Sequence, residues 1–138
     1  MKIRIFYDRI GYRIRRSKEI KNLIEKVIRK ANQVPGDLNF IITNDRVIRK
    51  LNVEYLGHNY FTDVIAFSYS EDELINGEVF ISIDTVKRNA IKYKVTLYSE
   101  VIRVIIHGTL HLCGLDDKTR KEKNIIRELE DKWIKEIM

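Results

Sequence analysis

Residues 97–113 read LYSEVIRVIIHGTLHLC, and this segment decides the fold because it is the most apolar helical stretch of the chain. A helix that is apolar around most of its circumference lies in the centre of a protein core. Gly114 suits the left-handed backbone conformation that ends such a helix. The sequence therefore predicts a central, buried helix over 97–113. Its apolar positions are Leu97, Val101, Ile102, Val104, Ile105, Ile106, Leu110 and Leu112.

Four other segments predict β-strands, at 2–8, 38–43, 63–69 and 78–83, from alternating or continuous apolar patterns. Asn76-Gly77 lies between the last two strands and is typical of a hairpin connection. The sole proline, Pro35, stands in the sequence VPGD, which predicts a turn before the second strand.

Helical periodicity predicts further helices at 18–32, from Asn44 or Asp45 to about 55, at 84–93, and after Thr119. Ser17 is the expected N-cap of the first helix, and Thr119 with Glu122 forms a capping box for the last. The expected inner face of the last helix comprises Ile125, Ile126, Leu129, Trp133 and Ile134. Together these elements predict one α+β domain over residues 1–138, with a small four-stranded mixed sheet packed with about five helices.

The composition is that of a globular protein. The chain has 138 residues, of which 44% are hydrophobic and 33% charged. No apolar run is long enough for a membrane span, and there is no signal-peptide pattern. A single cysteine, Cys113, excludes an internal disulfide and is interpreted as a core residue. We expect a cytoplasmic protein with no membrane partner.

Basic residues concentrate in the first part of the chain. Residues 1–60 contain 14 basic and 6 acidic side chains, whereas residues 61–138 contain 12 and 14. Arg13, Arg15 and Arg16 form the densest cluster and alternate with Tyr12 and Ile14. Contacts to nucleic-acid phosphates need such charge. An ordinary solvated surface is the alternative interpretation of this cluster.

Two of the three histidines, His107 and His111, lie four residues apart on the central helix. Their Cβ atoms are then about 5–6 Å apart on one face, so two imidazole nitrogens can reach one metal ion. Asp117 follows the helix-ending glycine and is the expected third ligand, with Asp116 or water as alternatives. Three protein ligands with one open position form the catalytic zinc pattern. The alternative is a pair of neutral histidines in the core.

The residue after His107 also limits the chemistry. A zinc protease of the H-E-x-x-H type carries its general base at that position. Here the position is Gly108, which disfavours peptide hydrolysis.

With these residues assembled, the chain resembles the YbeY family of rRNA maturation factors. HGTLHLCGLDD (107–117) is similar to the family hallmark H-G-x-L-H-L-x-G-x-D-H, except at its last position. LNVEYLGHNYFTDVIAFSY (51–69) and GEVFIS (77–82) resemble two further family blocks, in the family's order. The resemblance implies a metal-dependent, single-strand-specific endoribonuclease. It implies that His107 and His111 are metal ligands and that Asp117 stands where the family has a third histidine.

The chain departs from the family pattern around residue 56. The family's arginine, which is implicated in activity, falls on Leu56, its lysine on His58 and a proline on Phe61. Thr62-Asp63 is retained, either for catalysis or to fix the start of the strand. His58 is a candidate donor in place of the arginine. The expected catalytic residues are therefore His107 and His58.

These observations predict a zinc-dependent endoribonuclease that acts on single-stranded rRNA of the ribosomal small subunit, at its 3′ end. The expected RNA-binding residues are Arg13, Arg15, Arg16, Arg49 and Lys50, with Arg46 nearby. A ribosomal protein or an assembly GTPase is a further partner implied by the resemblance. Two alternatives remain: a non-catalytic ribosome-assembly factor with a structural or vestigial metal, and a metal hydrolase of small phosphoesters or amides.

Overall fold

A computed structural model describes residues 1–59 and 61–138. Its strands are β1 (Lys2–Tyr7), β2 (Val34–Thr43), β3 (Val64–Ser68) and β4 (Leu74–Ser82). Its α-helices are α1 (Ser17–Lys30), α2 (Asp45–Leu51), α3 (Ile83–Tyr93), α4 (Leu97–Leu112) and α5 (Arg120–Ile137). A π-helical segment, Asn52–Leu56, continues α2.

The strands form one mixed sheet in the order β1-β2-β4-β3. β2 runs parallel to both β1 and β4, and α1 connects β1 to β2. The edge strand β3 is antiparallel to β4, with Ile65 opposite Phe80. The mixed sheet and the α+β class predicted from the sequence are confirmed.

The helix α4 lies in the centre of the core. Val101, Ile102 and Ile105 on α4 are fully buried, and they belong to the same apolar cluster as Phe40 on β2 and Ile81 on β4. α4 ends at Leu112, and Gly114 follows with a φ of 96°. The predicted central helix and its glycine stop are confirmed, and buried Cys113 is a core residue.

Two glycines allow α4 to approach the sheet closely. A Cβ atom on Gly108 would lie 2.6 Å from Cγ1 of Val79 on β4. A Cβ atom on Gly77 of β4 would lie 2.7 Å from Cδ2 of Leu112 on α4. Both distances are shorter than side chains tolerate, so glycine is required at these two positions for steric reasons.

The hairpin signal was assigned to the wrong residues. The pairing of β3 with β4 is antiparallel as predicted, but Asn76 and Gly77 lie within β4 and the turn precedes Leu74. The side chain of Asn76 accepts a hydrogen bond from the backbone N–H of Asp37 at 2.8 Å. This contact lies where the pairing of β2 and β4 shifts register after Pro35, so VPGD is an irregular start of β2 and not a separate turn.

Helix ends and faces follow the predictions with two exceptions. The side chains of Asn44 and Thr119 cap α2 and α5, and the capping box with Glu122 is present. Ser17 does not cap α1. Arg16 holds the N-cap position in a left-handed conformation, and its guanidinium donates a hydrogen bond to the carbonyl of Ile137 at the end of α5.

The second exception concerns α5. Ile125 is 44% exposed and does not belong to its inner face. The buried positions are Ile126, Glu130, Trp133 and Ile137, with Leu129 and Ile134 partly buried beside them. Helical geometry accounts for this stripe, since the four positions are spaced three or four residues apart. Glu130 is a charged residue on this otherwise apolar stripe, and its contacts belong to the functional site.

Within the part of the chain that the structure describes, no helix combines the length and apolarity that a bilayer crossing needs.

The close approach of α4 to β4 can be tested with Gly108→Ala. Overpacking of a tight core contact costs about 1–3 kcal/mol, against about 1 kcal/mol gained from helix propensity. We expect Val79→Ala to remove the clash with the new methyl group. Gly108→Ala should therefore be at least ~1 kcal/mol less destabilising in the Val79→Ala variant than in the wild type. Denaturant unfolding of the four chains measures this coupling.

Gly11→Ala is the matched control, because a Cβ atom there meets nothing within 4 Å. We expect it to change stability by less than about 0.5 kcal/mol. An identical effect of Gly108→Ala in both backgrounds would contradict the steric account.

Candidate metal centre

The last turns of α4 bring the two histidines together. Nε2 of His107 and Nε2 of His111 lie 3.1 Å apart, and the two rings are tilted by 70° with centroids 4.7 Å apart. Their side chains are 24% and 27% exposed, so both are reachable from solvent. The predicted shared face is confirmed.

Asp117 completes a group of three ligand atoms. After α4, the N–H of Leu115 donates back to the carbonyl of Leu110, and the positive φ of Gly114 reverses the chain. Oδ2 of Asp117 then lies 3.3 Å from Nε2 of His107 and 3.5 Å from Nε2 of His111. Asp116, the alternative ligand, is exposed and outside this group.

The three atoms match the dimensions of a zinc site. Tetrahedral bonds of 2.0–2.1 Å place ligand atoms about 3.3 Å apart. The observed separations of 3.1, 3.3 and 3.5 Å bracket that value. His107, His111 and Asp117 can thus hold one divalent ion with a fourth position left open, as predicted from the sequence.

Glu130 holds His107 from behind and was not predicted from the sequence. Oε2 of Glu130 lies 2.6 Å from Nδ1 of His107, and Oε1 accepts a hydrogen bond from Arg103 at 3.0 Å. Arg103 also donates to Asp131 at 2.7 Å. Because the carboxylate accepts a hydrogen bond from Nδ1–H, the proton is held on Nδ1 and the lone pair of Nε2 is free to bind a metal. The signal available in the sequence was the glutamate on the apolar stripe of α5.

The environment of His107 has a clear electrostatic character. Burial lowers its pKa, but the hydrogen bond and the charge of Glu130, with smaller effects of Asp117 and Asp63, raise the pKa of His107 above its usual value overall. Burial also raises the pKa of Asp63, against the opposing charge of His107. The carboxylates around His107 therefore favour a positive charge at this position, as a cation site requires.

A cavity of about 400 Å³ opens the metal centre toward the edge strand β3. Leu56 lines this cavity together with Thr62, Asp63, Val64, Ile65, Ala66, Ser68, His107, His111, Leu112 and Asp117. Leu56 thus faces the metal centre but brings no charge. The exposed His58 is not among the described residues that line the cavity.

A second cavity of about 370 Å³ lies against α5. It shares Asp63, His107 and Asp117 with the first cavity, so the two meet at the metal centre. Its other charged lining residues are Glu100, Arg103, Lys123, Arg127 and Glu130.

The arginine cluster near the N-terminus lies away from this centre. Arg13 packs over the ring of Tyr7, and Arg15 packs over the ring of Tyr98 at 4.4 Å. Tyr98 is at the start of α4, nine residues and roughly 13 Å along the helix from His107. The structure does not bring Arg13, Arg15 and Arg16 to the metal centre, and Arg16 is engaged with the end of α5.

A third cavity, a groove of about 860 Å³, contains the other predicted cations, Arg46, Arg49 and Lys50. Arg49 donates a hydrogen bond to Asn59 at 2.9 Å and lies 5.8 Å from the ring centre of Phe61, which is 51% exposed. Phe61 of this groove directly precedes Thr62 and Asp63, which line the cavity beside β3.

Asp45 anchors the groove to the sheet. Its carboxylate accepts hydrogen bonds from Ser82 and Thr85, each at 2.6 Å, and from Arg88 at 2.7 Å. Burial raises the pKa of Asp45, but these three hydrogen bonds and the charge of Arg88 lower it overall. The start of α2, the helix that carries these cations, is therefore fixed to β4 and α3.

Comparisons with known proteins agree with this site. The family model described as "Endoribonuclease YbeY" matches residues 9–138. The protein of that name from Christiangramia forsetii is 36% identical over 129 residues, which are 94% of this chain and 90% of the relative. Its counterpart from Karelsulcia muelleri is 44% identical over 108 residues, 78% and 77% of the two chains.

The fold has a solved counterpart. A solution structure of a protein from Thermotoga maritima matches with a TM-score of 0.65 at 29% identity, covering 98% of this chain and 88% of the other. The family model thus covers strands β2 to β4 and all five α-helices, including those that carry the metal centre. The chain belongs to the endoribonuclease YbeY family.

Proposed function

We propose that this chain is a zinc-dependent endoribonuclease that cuts single-stranded ribosomal RNA of the small subunit, near the 3′ end. The observation that carries the proposal is the convergence of His107, His111 and Asp117 on one point with the spacing of a zinc site. Family membership supplies the substrate class and the hydrolytic reaction. Such a substrate implies a cytoplasmic protein, with a ribosomal protein or an assembly GTPase as further partners.

A divalent ion bound here supplies a Lewis acid for a phosphoryl oxygen and lowers the pKa of water for attack on phosphorus. The side chains of the protein do the remaining work. Glu130 keeps the Nδ1 proton of His107 in place, and Arg103 keeps Glu130 in place. Asp117 makes the ligand set one charge more negative than three histidines would.

The groove of α2 provides a path for the RNA strand. Arg46, Arg49 and Lys50 bring three positive charges to the groove, whose lining also contains Asp45, Glu54 and Asp84. The exposed ring of Phe61 offers a surface on which a base can stack. Cations beside exposed aromatic rings are typical of proteins that bind single-stranded nucleic acid. We propose that RNA follows this groove to the cavity beside β3. Roles in RNA binding for Arg13, Arg15 and Arg16, and in catalysis for His58, stay predictions.

A non-catalytic assembly factor is the second candidate. The observation that favours it is Leu56, which faces the metal centre where a cation would stabilise a reacting phosphate. Under that alternative, the protein binds RNA with its metal in place and does not cut it.

The metal ligands are tested with His111→Ala. We expect about one equivalent of zinc in the wild-type protein and none in the variant, since two ligands do not retain the ion, and we expect RNA cleavage to be lost with it. Elemental analysis and cleavage of a single-stranded RNA are measured on the same samples. His58→Ala is the control for metal content. Cleavage without metal would refute the mechanism, and metal without cleavage in the wild type would favour the assembly factor.

The orienting role of Glu130 is tested with Glu130→Gln. The variant keeps the size of the side chain and loses its charge, so the affinity for zinc should fall about 10- to 100-fold. Competition with a chromophoric chelator measures this affinity. Glu128→Gln, an exposed position on the same helix, should retain wild-type affinity. Equal affinities in both variants would show that Glu130 does not support the ligand.

The path of the RNA is tested by charge removal at two places. Arg49→Ala with Lys50→Ala should weaken binding of single-stranded RNA and reduce its salt dependence by about 1.4 in the log–log slope, because two phosphate contacts are lost. Arg13→Ala with Arg15→Ala removes the same charge far from the groove, and we expect a smaller change in slope. Fluorescence anisotropy at several salt concentrations measures both pairs. A larger change in slope for Arg13→Ala with Arg15→Ala than for Arg49→Ala with Lys50→Ala would place the RNA on the N-terminal cluster.

A further inference from the structure

The cavity beside β3 offers the substrate no positive charge from its described lining residues. Leu56 lines this cavity where the family has an arginine, and it is an apolar side chain that is 48% exposed. Cleavage of a phosphodiester builds negative charge on the phosphoryl oxygens, and enzymes commonly meet it with a lysine or arginine beside the metal. The cation must therefore come from another wall of the site.

The cavity against α5 contains three cations: Arg103, Lys123 and Arg127. Arg103 is only 22% exposed, and its guanidinium is occupied by Glu130 and Asp131. Lys123 and Arg127 are exposed, and no carboxylate in the described part of the chain lies within 4.0 Å of either charged group. These two cations are available to a ligand.

Lys123 and Arg127 lie four residues apart on α5, so they project from one face of the helix. Asn124 lines the same cavity. His107 and Asp117 line it too, so the cavity borders the metal centre. A phosphate bound in this cavity would have both the two cations and the metal centre as neighbours.

The acidic groups of the same cavity have other partners. Glu130 is bound to His107 and Arg103, and Asp117 belongs to the metal ligands. Asp63 accepts a hydrogen bond from Asn89 at 3.3 Å, and Glu100 lies 4.0 Å from Arg103. Arg127 acts on Glu100 only through its charge, at longer range.

We propose that Lys123 and Arg127 form a phosphate subsite that holds the RNA backbone against the metal centre and supplies the positive charge that Leu56 does not. The subsite rests on the proposed RNA-cleaving function. Its ligand is the phosphodiester group of a single strand, recognised by two cations and the Asn124 amide.

The test combines Lys123→Ala and Arg127→Ala in one chain. For single-stranded RNA we expect kcat/KM to fall about 100-fold, with zinc content unchanged, since the cations act on charge that develops during the reaction. Lys121→Ala with Lys135→Ala removes two exposed lysines of the same helix that line no described cavity. That control should stay within about threefold of the wild type.

Leu56→Arg provides a rescue. In the Lys123/Arg127 double variant it should restore cleavage at least tenfold, because a guanidinium then enters from the β3 side. In the wild-type background it should add little. Equal gains in both backgrounds, a double variant as active as the control, or loss of zinc from the double variant would each overturn the subsite.

Measurement of RNA binding distinguishes a failure of the phosphate subsite from a failure of the proposed cleavage function. The log–log salt slope for a single-stranded RNA with nuclease-resistant phosphorothioate linkages should fall by about 1.4 in the double variant. If the wild type binds but does not cut RNA, the cleavage function is wrong, and the slope alone decides the subsite. An unchanged slope refutes it.

Discussion

The contact between Gly108 of α4 and Val79 of β4 is the constraint on which the rest of the site depends. It brings the helix so near the sheet that a single methyl group would clash. His107 precedes this contact and His111 follows it by three residues, so both rings are set at a fixed height above the edge strand β3. Because rigid elements hold geometry better than loops do, the core packing of α4 sets the backbone positions of two of the three candidate ligands.

The buried carboxylate of Glu130 adds an electrostatic constraint to this packing. A charge removed from water is costly unless it is paired and hydrogen-bonded. Glu130 meets both conditions, with His107 on one oxygen and Arg103 on the other. The same contacts, with that of Arg103 to Asp131, join α4 to α5 through polar side chains. Metal geometry and helix packing are therefore coupled, and a change at Glu130 affects both.

The sequence predicted the parts of the molecule that depend on local chemistry. The spacing of His107 and His111, the left-handed Gly114 and the capping box of α5 all express helical geometry, which neighbouring residues set. The sequence did not predict Glu130, because its partner lies 23 residues away and only tertiary packing joins them. The turn predicted at Asn76-Gly77 was wrong for the same reason. This pair lies within β4, where the side chain of Asn76 accepts a hydrogen bond from Asp37 at the irregular start of β2.

Two of the departures from the family pattern in this chain, at residues 56 and 117, act in the same direction. Asp117 in place of a histidine and Leu56 in place of an arginine each make the metal centre one unit more negative. A more negative centre binds a cation more readily, yet it repels the phosphate that the cation is meant to activate. A cleavage site with both changes needs positive charge from elsewhere. Lys123 and Arg127 line the cavity that borders His107 and Asp117, and their two charges offset these two substitutions.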